Sequence, residues 1–551
     1  MSTPNILSMK PMADPAEFYR RGYWSNRLIV DYVDEHAAAH PEKAALIDNR
    51  GTLGYAELAA RTRNLAAAFL RLGIVAGDVV GIQSPNWSEL PVTHLALDRI
   101  GAVFLPLHDG FRQEELKSLL TQARAKAMIY AASYRGYDHR ALIGELQRSL
   151  PELRIKIVMR AVPASDEFAF DTLAADATWR SVHGERYLEA CRPSAASPMQ
   201  IMVSSGTTAV PRCSVFCDNA MVYKLVQQYG RYACHLGPDD IAAAIAPAGT
   251  GSTGYNFPVL APLLWGATSV LLERWDGLRP ELALDLMARH RCTYAVMIPT
   301  QLAKLVSAPD LERYDFSALR FITSAGAKLP IAVAEAAERA FGCVMQTNYG
   351  STESAVAALT CIDDPEDKRR TVGRVVDGQE LRIVRADGTP AKPCEAGEIW
   401  WRGANGGFGY LNMPEASKAV WDSAGWYHSG DIGVLDADGY LSITGRIKDM
   451  ILRGGRNINP RQIEEILVQH PKVTDAAVIP LGHPVLGEIA CAVVIPASQQ
   501  ERPSLDELNQ FILAKELAVW CQPEKLVLMD DFPRNAGGKV DKLALVASIA
   551  A

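Results

Sequence analysis

Apolar residues recur at helical spacing and at strand-like spacing in turn along the first part of the chain. Residues 78–82 and 102–107 are short apolar runs typical of buried strands, and residues 90–100 between them have a helical pattern. The same succession returns in 223–265 and in 282–321. A further helix is predicted from Tyr55 to Gly73, with its apolar period on Leu58, Ala59, Leu65, Ala66, Phe69 and Leu70. Strands and helices in alternation predict parallel sheets covered by helices.

The pattern changes after about residue 370. Short strand patterns with turns between them indicate a small β-barrel, and they lie at 379–384, 397–402, 431–435 and 439–444. From Lys448 on, the patterns predict a compact α+β domain. Its helix patterns lie at 460–470 and 505–516, and its strand patterns lie at 476–480 and 490–495. The predicted fold is therefore α/β, with a large N-terminal domain of two βα-layered sheets plus a small β-barrel, followed by a small α+β domain.

Length, charge and cysteine usage limit the classes of protein that remain. A chain of 551 residues is expected to form two or more domains, and a net charge of −7 argues against a nucleic-acid binder. The sequence has no apolar run of the length of a membrane span, and its start lacks the pattern of a signal peptide. Its ten cysteines are scattered without a CxxC pair, which favours a reducing compartment. We expect a cytoplasmic protein without a stable membrane anchor.

One loop is rich in groups that bind phosphate. Residues 204–212 read Ser-Ser-Gly-Thr-Thr-Ala-Val-Pro-Arg, so that hydroxyls, exposed N–H groups and the fork of Arg212 come together. Such a loop suits a polyphosphate, although it cannot be written as a Walker A motif. Taken alone, an ordinary turn rich in Ser, Thr and Gly explains it equally well.

Four more motifs follow in order and carry a family resemblance. They are Tyr-Gly-Ser-Thr-Glu at 349–353, Gly-Trp-Tyr-His-Ser-Gly-Asp at 425–431, Gly-Arg-Ile-Lys-Asp at 445–449 and Gly-Gly-Lys at 537–539. With all five motifs, the chain resembles the adenylate-forming superfamily of acyl- and aryl-CoA ligases, stand-alone adenylation enzymes and firefly-type luciferases. The resemblance extends from about residue 19 to residue 545. It implies an N-terminal AMP-binding domain, 1–446, and a mobile C-terminal lid, 447–551, with the hinge near Lys448.

The resemblance implies a role for each motif in activating a carboxylate with ATP and Mg²⁺. The loop would hold the β- and γ-phosphates through Ser204, Ser205, Gly206, Thr207, Thr208 and Arg212. Tyr349 would stack on adenine, while Ala325, Gly326 and Ala327 would pass along adenine and the acyl group. Thr352 would bond the α-phosphate and Glu353 would bind Mg²⁺.

The resemblance gives the C-terminal motifs roles in both half-reactions. Asp431 would accept hydrogen bonds from the ribose, and Arg446 would assist at ribose or phosphate. Lys539 would bond the carboxylate and the α-phosphate during adenylation. Rotation at Lys448 would then withdraw Lys539. Arg453, Gly454 and Gly455 would next face the nucleotide side and open a path for the pantetheine arm of coenzyme A.

The acid is the least readable part of the sequence. The resemblance places the acyl pocket at Thr250, Gly251, Thr253, Gly326 and Asn348. The glycines indicate room, and the hydroxyls of 250–253 could bond a polar ring substituent or cap the next helix. Residues 17–24 look like the opening of aryl-acid and alicyclic-acid activating members. We therefore expect an aromatic, alicyclic or medium-chain acid, with coenzyme A as acceptor.

Other readings stay open at this point. A stand-alone adenylation enzyme would load an aryl acid onto a carrier protein, and a luciferase-like enzyme would oxidise the adenylate. A degenerate ATP-binding protein is a third reading, because Ala209, Arg212 and Cys213 stand where the family usually has glycine, lysine and glycine. The sequence leaves the oligomeric state open, with a homodimer as one option.

Overall fold

The computed structural model describes residues 6–203, 212–249, 251–453, 456–498, 500–515, 517–534 and 539–550. It divides into two compact units. The larger unit comprises Met1–Glu380 and Trp401–Tyr427, and the smaller one comprises Leu381–Trp400 and His428–Ala551. The predicted residues Ser204, Ser205, Gly206, Thr207, Thr208, Ala209, Thr250, Gly454 and Gly455 lie outside the described residues.

The β-strands are numbered in chain order. They are β1 Ala44–Asp48, β2 Gly51–Gly54, β3 Val79–Gln83, β4 Val103–Leu107, β5 Ala127–Ala131, β6 Ser133–Tyr134, β7 Tyr137–Asp138, β8 Ile155–Met159, β9 Phe168–Ala169, β10 Pro198–Val203, β11 Cys213–Cys217, β12 Ile241–Ala244, β13 Thr268–Leu271, β14 Tyr294–Met297, β15 Phe321–Ser324, β16 Val344–Ser351, β17 Ala355–Leu359, β18 Gln379–Val384, β19 Gly397–Gly403, β20 Tyr427–Leu435, β21 Leu441–Arg446, β22 Ile451–Arg453, β23 Arg456–Ile458, β24 Val473–His483, β25 Gly487–Pro496 and β26 Lys525–Leu528.

The α-helices are numbered in the same way. They are α1 Pro15–Arg20, α2 Ile29–Ala39, α3 Tyr55–Arg71, α4 Glu89–Asp98, α5 Gln113–Ala123, α6 His139–Ser149, α7 Phe170–Ala175, α8 Trp179–His183, α9 Asp218–Val222, α10 Thr253–Tyr255, α11 Ala261–Trp265, α12 Glu281–Arg289, α13 Pro299–Val306, α14 Ile331–Phe341, α15 Glu366–Arg369, α16 Pro414–Lys418, α17 Pro460–Leu467, α18 Leu505–Ala514 and α19 Lys542–Ala550. Two π-helical segments, Tyr223–Ala233 and Asn256–Leu260, continue α9 and α10.

Two large sheets organise the larger unit. One has the order β17-β16-β15-β14-β12-β13-β1-β2 and the other has the order β11-β10-β4-β3-β5-β8-β9. Strand pairs are parallel through the middle of both sheets, and the antiparallel pairs β16–β17, β1–β2 and β10–β11 lie at their edges. Strands such as β3 and β4 are buried along their whole length, because helices cover both faces. This confirms the parallel, helix-covered sheets predicted from the apolar pattern.

The smaller unit contains most of a four-stranded sheet and all of a second sheet. The first has the order β18-β19-β20-β21, so the predicted small β-barrel takes the form of a sheet in which each strand pairs with the next. In the second sheet, β24 and β25 form a long hairpin, and β22 and β26 both pair with β25. Helices α17 and α18 bury Ile463, Leu467, Leu508 and Ile512 in the core of this unit. The α+β organisation predicted for the C-terminal part is confirmed.

The helices also bear on the expected absence of a membrane anchor. Within the part of the chain that the structure describes, no helix combines the length and the apolar character that crossing a bilayer requires.

The predicted domain boundary at 446/447 and the hinge at Lys448 stay predictions.

Candidate active site

Two neighbouring strands of the eight-stranded sheet end beside one another in the larger unit. Ser324 closes β15 and pairs in parallel register with Thr347 of β16, which continues into Asn348 and Tyr349. The carboxyl ends of parallel strands are the usual place for ligands in such sheets. The turn after β15 begins with buried Ala325, and Gly326 has a φ of +87°, a conformation that favours glycine. Gly326 and Ala327 are exposed, so this turn presents backbone at the sheet edge.

Two polar atoms are buried at this edge. Ser324 Oγ and Asn348 Nδ2 have no hydrogen-bond partner among the described residues. Buried polar atoms in folded proteins are almost always hydrogen-bonded, so such atoms call for an explanation. A ligand at the sheet edge supplies one, because the predicted acyl pocket includes Asn348 and the turn that follows Ser324.

Arg212 and Glu353 are brought together by Tyr410. The Arg212 guanidinium lies over the Tyr410 ring, 5.0 Å from its centroid. Burial raises the pKa of Tyr410 to about 12; the charge of Glu353 adds to the rise, and a hydrogen bond with Arg212 opposes it. The cation predicted to face phosphate and the carboxylate predicted to bind Mg²⁺ therefore meet at one phenol, although the sequence separates them widely.

Backbone pairing explains why Tyr410 lies beside Arg212. Phe408 donates its N–H to Val215, and Leu411 donates its N–H to Cys213, so the segment 408–411 lies along β11. Ser214 and Tyr410 form a bridge at the centre of this pairing. Tyr410 was not among the site residues predicted from the sequence. The one local signal for it was a run of Gly and aromatic residues at 406–410, which does not by itself indicate a partner.

The hairpin of β16 and β17 holds the predicted nucleotide and magnesium residues. Thr352 and Glu353 lie in its turn and are partly exposed. Tyr349 is buried and meets the ring of Trp401 edge to face at 5.5 Å, so its side chain is fixed by packing. Gly350 is required in this hairpin because a Cβ there would lie 2.1 Å from the carbonyl oxygen of Ala355.

Asp431 and Arg446 form an ion pair in the smaller unit. They are direct partners in the β20–β21 ladder, and Arg446 Nε donates to Asp431 Oδ1 at 2.5 Å. The Asp431 side chain is nearly buried, whereas the side chain of Arg446 is 41% exposed. The β-ladder thus brings together two residues that come from separate sequence motifs.

The remaining predicted residues of the smaller unit lie in loops and at strand ends. Lys448 is exposed in the 3₁₀ turn Ile447–Asp449. Arg453 ends β22 and forms an ion pair with Glu524. Lys539 is exposed beside Val540, which bridges to Arg534. Their predicted roles, like those of the other site residues, stay predictions.

Within the predicted acyl pocket, a Cβ on Gly326 would lie 3.6 Å from Ile298 Cγ2, which is an ordinary contact distance, so the room expected there stays a prediction. Gly251 of this pocket and the neighbouring Gly254 are closely packed, which corrects the expectation of room at Gly251. A Cβ on Gly251 would lie 2.6 Å from Pro106 Cγ, and a Cβ on Gly254 would lie 2.2 Å from the carbonyl oxygen of Pro247. The carbonyl oxygen of Gly251 accepts hydrogen bonds from Gln200 Nε2 and Asn256 Nδ2. Thr253 opens α10 and is half-buried. Gly251 and Gly254 therefore allow close backbone approach rather than leave open space.

Comparison with known families identifies the class of protein. The AMP-binding enzyme family matches residues 33–411, and the AMP-binding enzyme C-terminal domain matches residues 462–539. Because the first match covers more than half of the chain, this protein belongs to the AMP-binding enzyme family. The adenylate-forming family indicated by the sequence motifs is confirmed.

Individual relatives and one solved structure agree with this assignment. The chain is 33% identical to the medium-chain fatty-acid–CoA ligase of Escherichia coli (strain K12), with 96% of this chain and 92% of that protein covered. It is 32% identical to a salicyl-AMP ligase / salicyl-S-ArCP synthetase of Mycobacterium tuberculosis, with 98% and 94% covered. A crystal structure of an anthranilate CoA ligase with anthranoyl-AMP has a TM-score of 0.84 at 23% identity, over 95% of this chain and 98% of that chain, and shares its fold.

Proposed function

We propose that this enzyme activates a carboxylic acid with ATP to an acyl-adenylate and pyrophosphate, and then transfers the acyl group to coenzyme A. The acid is aromatic, alicyclic or medium-chain, and the products of the second step are acyl-CoA and AMP. The observation that carries the proposal is the meeting of Arg212 and Glu353 at Tyr410 in a chain of the AMP-binding family.

The larger unit supplies the groups that the first step needs. Adenylation brings a carboxylate to the α-phosphate of ATP, so the site must offset negative charge and align two anions. Arg212 faces the phosphates, and Thr352 donates to the α-phosphate. Glu353 is partly exposed and fits Mg²⁺, which prefers a carboxylate together with phosphate oxygens. When bound, the metal would supply charge neutralisation at the triphosphate.

The smaller unit completes the site in our proposal. Asp431 accepts from the ribose hydroxyls while Arg446 holds that carboxylate in place through their ion pair. Lys539 acts in adenylation only. A rotation near Lys448 moves a lid of residues 447–551 relative to a domain of residues 1–446. This rotation exchanges Lys539 for the segment of Arg453. The free cysteines are compatible with the cytoplasm as the location.

Lys539→Ala tests the division of labour between the two half-reactions. We expect a loss of roughly 10²–10³ in the adenylation rate, as for removal of one preorganised donor. Thioester formation from preformed acyl-AMP should be largely spared. Stopped-flow measurement of each half-reaction checks this, with Lys525→Ala as a control at an exposed lysine of the same unit. Equal losses in both half-reactions would contradict the role of Lys539.

The acceptor has a second candidate. The salicyl-AMP ligase / salicyl-S-ArCP synthetase resembles the chain nearly as closely as the fatty-acid–CoA ligase does, which supports an aryl carrier protein as the alternative to coenzyme A. Purified enzyme is incubated with ATP, Mg²⁺ and each acid of an aromatic, alicyclic and fatty-acid panel, with and without coenzyme A, and the products are identified by mass. An acyl-CoA product supports the proposal. Acid-dependent pyrophosphate release without an acyl-CoA product moves the acceptor to a carrier protein.

A further inference from the structure

Lys224 is a buried cation without a counter-ion among the described residues. It lies in the π-helical segment Tyr223–Ala233, and 3% of its surface is exposed. Within that part of the chain its ammonium donates no hydrogen bond and forms no ion pair, and it lies 5.9 Å from the centroid of the Phe257 ring. Burial alone lowers the pKa of Lys224 to about 7, and no neighbouring carboxylate among those residues opposes this shift. π-Helical segments are often found at functional sites.

Other buried cations of the larger unit have carboxylate partners. Arg99 pairs with Asp34 at 2.7 Å, and Lys156 pairs with Asp166 at 2.5 Å. Arg160 pairs with both Asp48 and Glu89. A charge taken out of water is expensive unless it is paired, and these residues follow that rule. Lys224 departs from the rule, so its partner is sought outside the protein.

Gln228 presents a second unused donor on the same helical face. Asn405 Nδ2 donates to Gln228 Oε1 and to the carbonyl oxygen of Val356, at 2.7 Å each. Because a carbonyl oxygen can only accept, the bond to Val356 fixes the orientation of the Asn405 amide, and this in turn fixes that of Gln228. Gln228 Nε2 is left buried without a partner among the described residues. Gln228 follows Lys224 by four residues, which places the two side chains on one face.

Short chains of contacts join this face to the candidate site. The ring of Phe257, which lies near Lys224, packs on Tyr229 with centroids 4.5 Å apart. Tyr229 shares a hydrogen bond of 2.8 Å with Thr323, the residue before Ser324. On the other side, Val356 pairs with Gly350 in the β16–β17 hairpin. Lys224 and Gln228 therefore lie behind the sheet edge where Ser324 and Asn348 have polar atoms without partners among the described residues.

We propose that Lys224 Nζ and Gln228 Nε2 form a subsite for a second oxyanionic group of the acid. The preferred substrate then carries an anionic oxygen, such as a second carboxylate or an ionised hydroxyl, in addition to the carboxylate that is activated. Two N–H donors on one helical face, one of them cationic, suit such an oxygen because it supplies the missing charge and can accept both hydrogen bonds. This inference rests on the proposed acid activation.

The test compares matched acids in wild-type enzyme and two variants. Acid-dependent ATP–pyrophosphate exchange is measured with benzoate, the three benzenedicarboxylates, salicylate and 4-acetylbenzoate, whose second substituent is uncharged. Lys224→Met removes the cation with similar volume, and Gln228→Glu keeps the acceptor for Asn405 while placing an anion beside Lys224. Lys304→Met, at an exposed lysine on α13, controls for the substitution itself.

We expect at least one oxyanionic acid to exceed benzoate and 4-acetylbenzoate in kcat/KM by tenfold or more. Both variants should reduce this ratio at least tenfold, and Lys304→Met should leave it unchanged. In wild-type enzyme the KM for the oxyanionic acid should rise as pH increases above about 7, because Lys224 loses its charge there, and Lys224→Met should abolish this rise. Two results would overturn the subsite. One is a preference for acids that lack a second charged group, and the other is a kcat/KM ratio that neither variant alters.

Failure of the proposed function would give a different experimental result from failure of the subsite. If wild-type enzyme shows no acid-dependent exchange with these acids or with fatty and alicyclic acids, acid activation itself is wrong. If exchange occurs but is fastest with acids that lack a second charged group, only the subsite is wrong.

Discussion

Two buried ionisable sites of the larger unit differ in the hydrogen bonds that their ionisable groups make with the protein. Asp98 accepts from the N–H of Val30 at 3.0 Å, and Asp218 accepts from the N–H of Ile29 at 3.3 Å. Both carboxyls therefore accept hydrogen bonds from the first turn of α2. Burial raises the pKa of both carboxyls, and the charge of Asp98 raises the pKa of Asp218 further. Lys224, equally buried, has no such bonds among the described residues.

The contrast separates structural from ligand-binding uses of buried charge. The carboxyl pair satisfies two orphan N–H groups at a helix start through Asp98 Oδ2 and Asp218 Oδ2, whereas Oδ1 of each has no hydrogen-bond partner among the described residues. Lys224 and Gln228 leave donors unused within the described part of the chain, and so do Ser324 Oγ and Asn348 Nδ2. Changes at the first site should therefore affect stability, and changes at the second kind of site should affect catalysis or specificity.

The largest effect is expected at Glu353, whose carboxylate we propose as a ligand of Mg²⁺ beside the ATP phosphates. Glu353→Gln keeps the shape and removes the charge, so adenylation should slow by roughly 10²–10³. The melting temperature should stay within the error of wild type, because Glu353 is partly exposed. Pyrophosphate release and thermal unfolding, measured on the same preparation, check both expectations. A large fall in melting temperature with normal activity would place Glu353 with the structural carboxyls instead.

Asp98→Ala should act on stability. The substitution leaves the N–H of Val30 buried without its acceptor, which costs about 1–3 kcal/mol of unfolding free energy. Urea unfolding measures this loss, and adenylation by the folded variant should match wild type. Glu17→Ala, which removes an exposed ion pair with Arg20, is a matched control and should change stability by less than about 1 kcal/mol. A specific loss of activity without a loss of stability would break the comparison.

Asp218→Asn should change the pH dependence of stability. Because the pKa of Asp218 is raised in the folded protein, the folded state binds more protons than the unfolded state at pH values above about 4. Stability therefore falls as pH rises from the unfolded pKa through the folded pKa. The variant lacks this titration, so its unfolding free energy should fall less steeply in that window. Urea unfolding at a series of pH values tests this, and equal slopes for both proteins would contradict the raised pKa of Asp218.

Lys224→Met should show the opposite sign over a different window. The pKa of Lys224 is about 7 in the folded protein and 10.5 for a lysine in water, so the folded state binds fewer protons between these values. Wild-type stability should gain a contribution as pH rises from about 7 towards 10. That gain should be absent in Lys224→Met, and urea unfolding should show the variant to be at least as stable as wild type near pH 7. A variant that is less stable at every pH would mean that Lys224 has a bonded, structural role.

The sequence predicted the elements whose signal is local. The helix α3 and the strands β3 and β4 followed from apolar spacing, because each buries a face that its own residues define. Arg212 was selected because its guanidinium suits phosphate, whereas Glu353 was selected because the family resemblance gives it the magnesium role. Both the sheets and the α+β part could thus be predicted before any coordinates.

The features that could not be predicted depend on long-range pairing. Tyr410 meets Arg212 only because the segment 408–411 pairs with β11, far away in the sequence. Lys224 looks like an ordinary helical lysine, since nothing near it in sequence indicates that Phe257 and the sheet cover it. Gly251 suggests open space in the sequence, but Pro106 and Gln200 occupy that space from a different sheet.

The central claim is that the acid is activated as an acyl-adenylate, and isotope transfer tests it most directly. Wild-type enzyme is supplied with ATP, Mg²⁺, coenzyme A and an accepted acid carrying ¹⁸O in its carboxylate. Attack of the carboxylate on the α-phosphate predicts one ¹⁸O atom in each AMP formed, with unlabelled pyrophosphate. Label in inorganic phosphate, or AMP without label, would contradict the account.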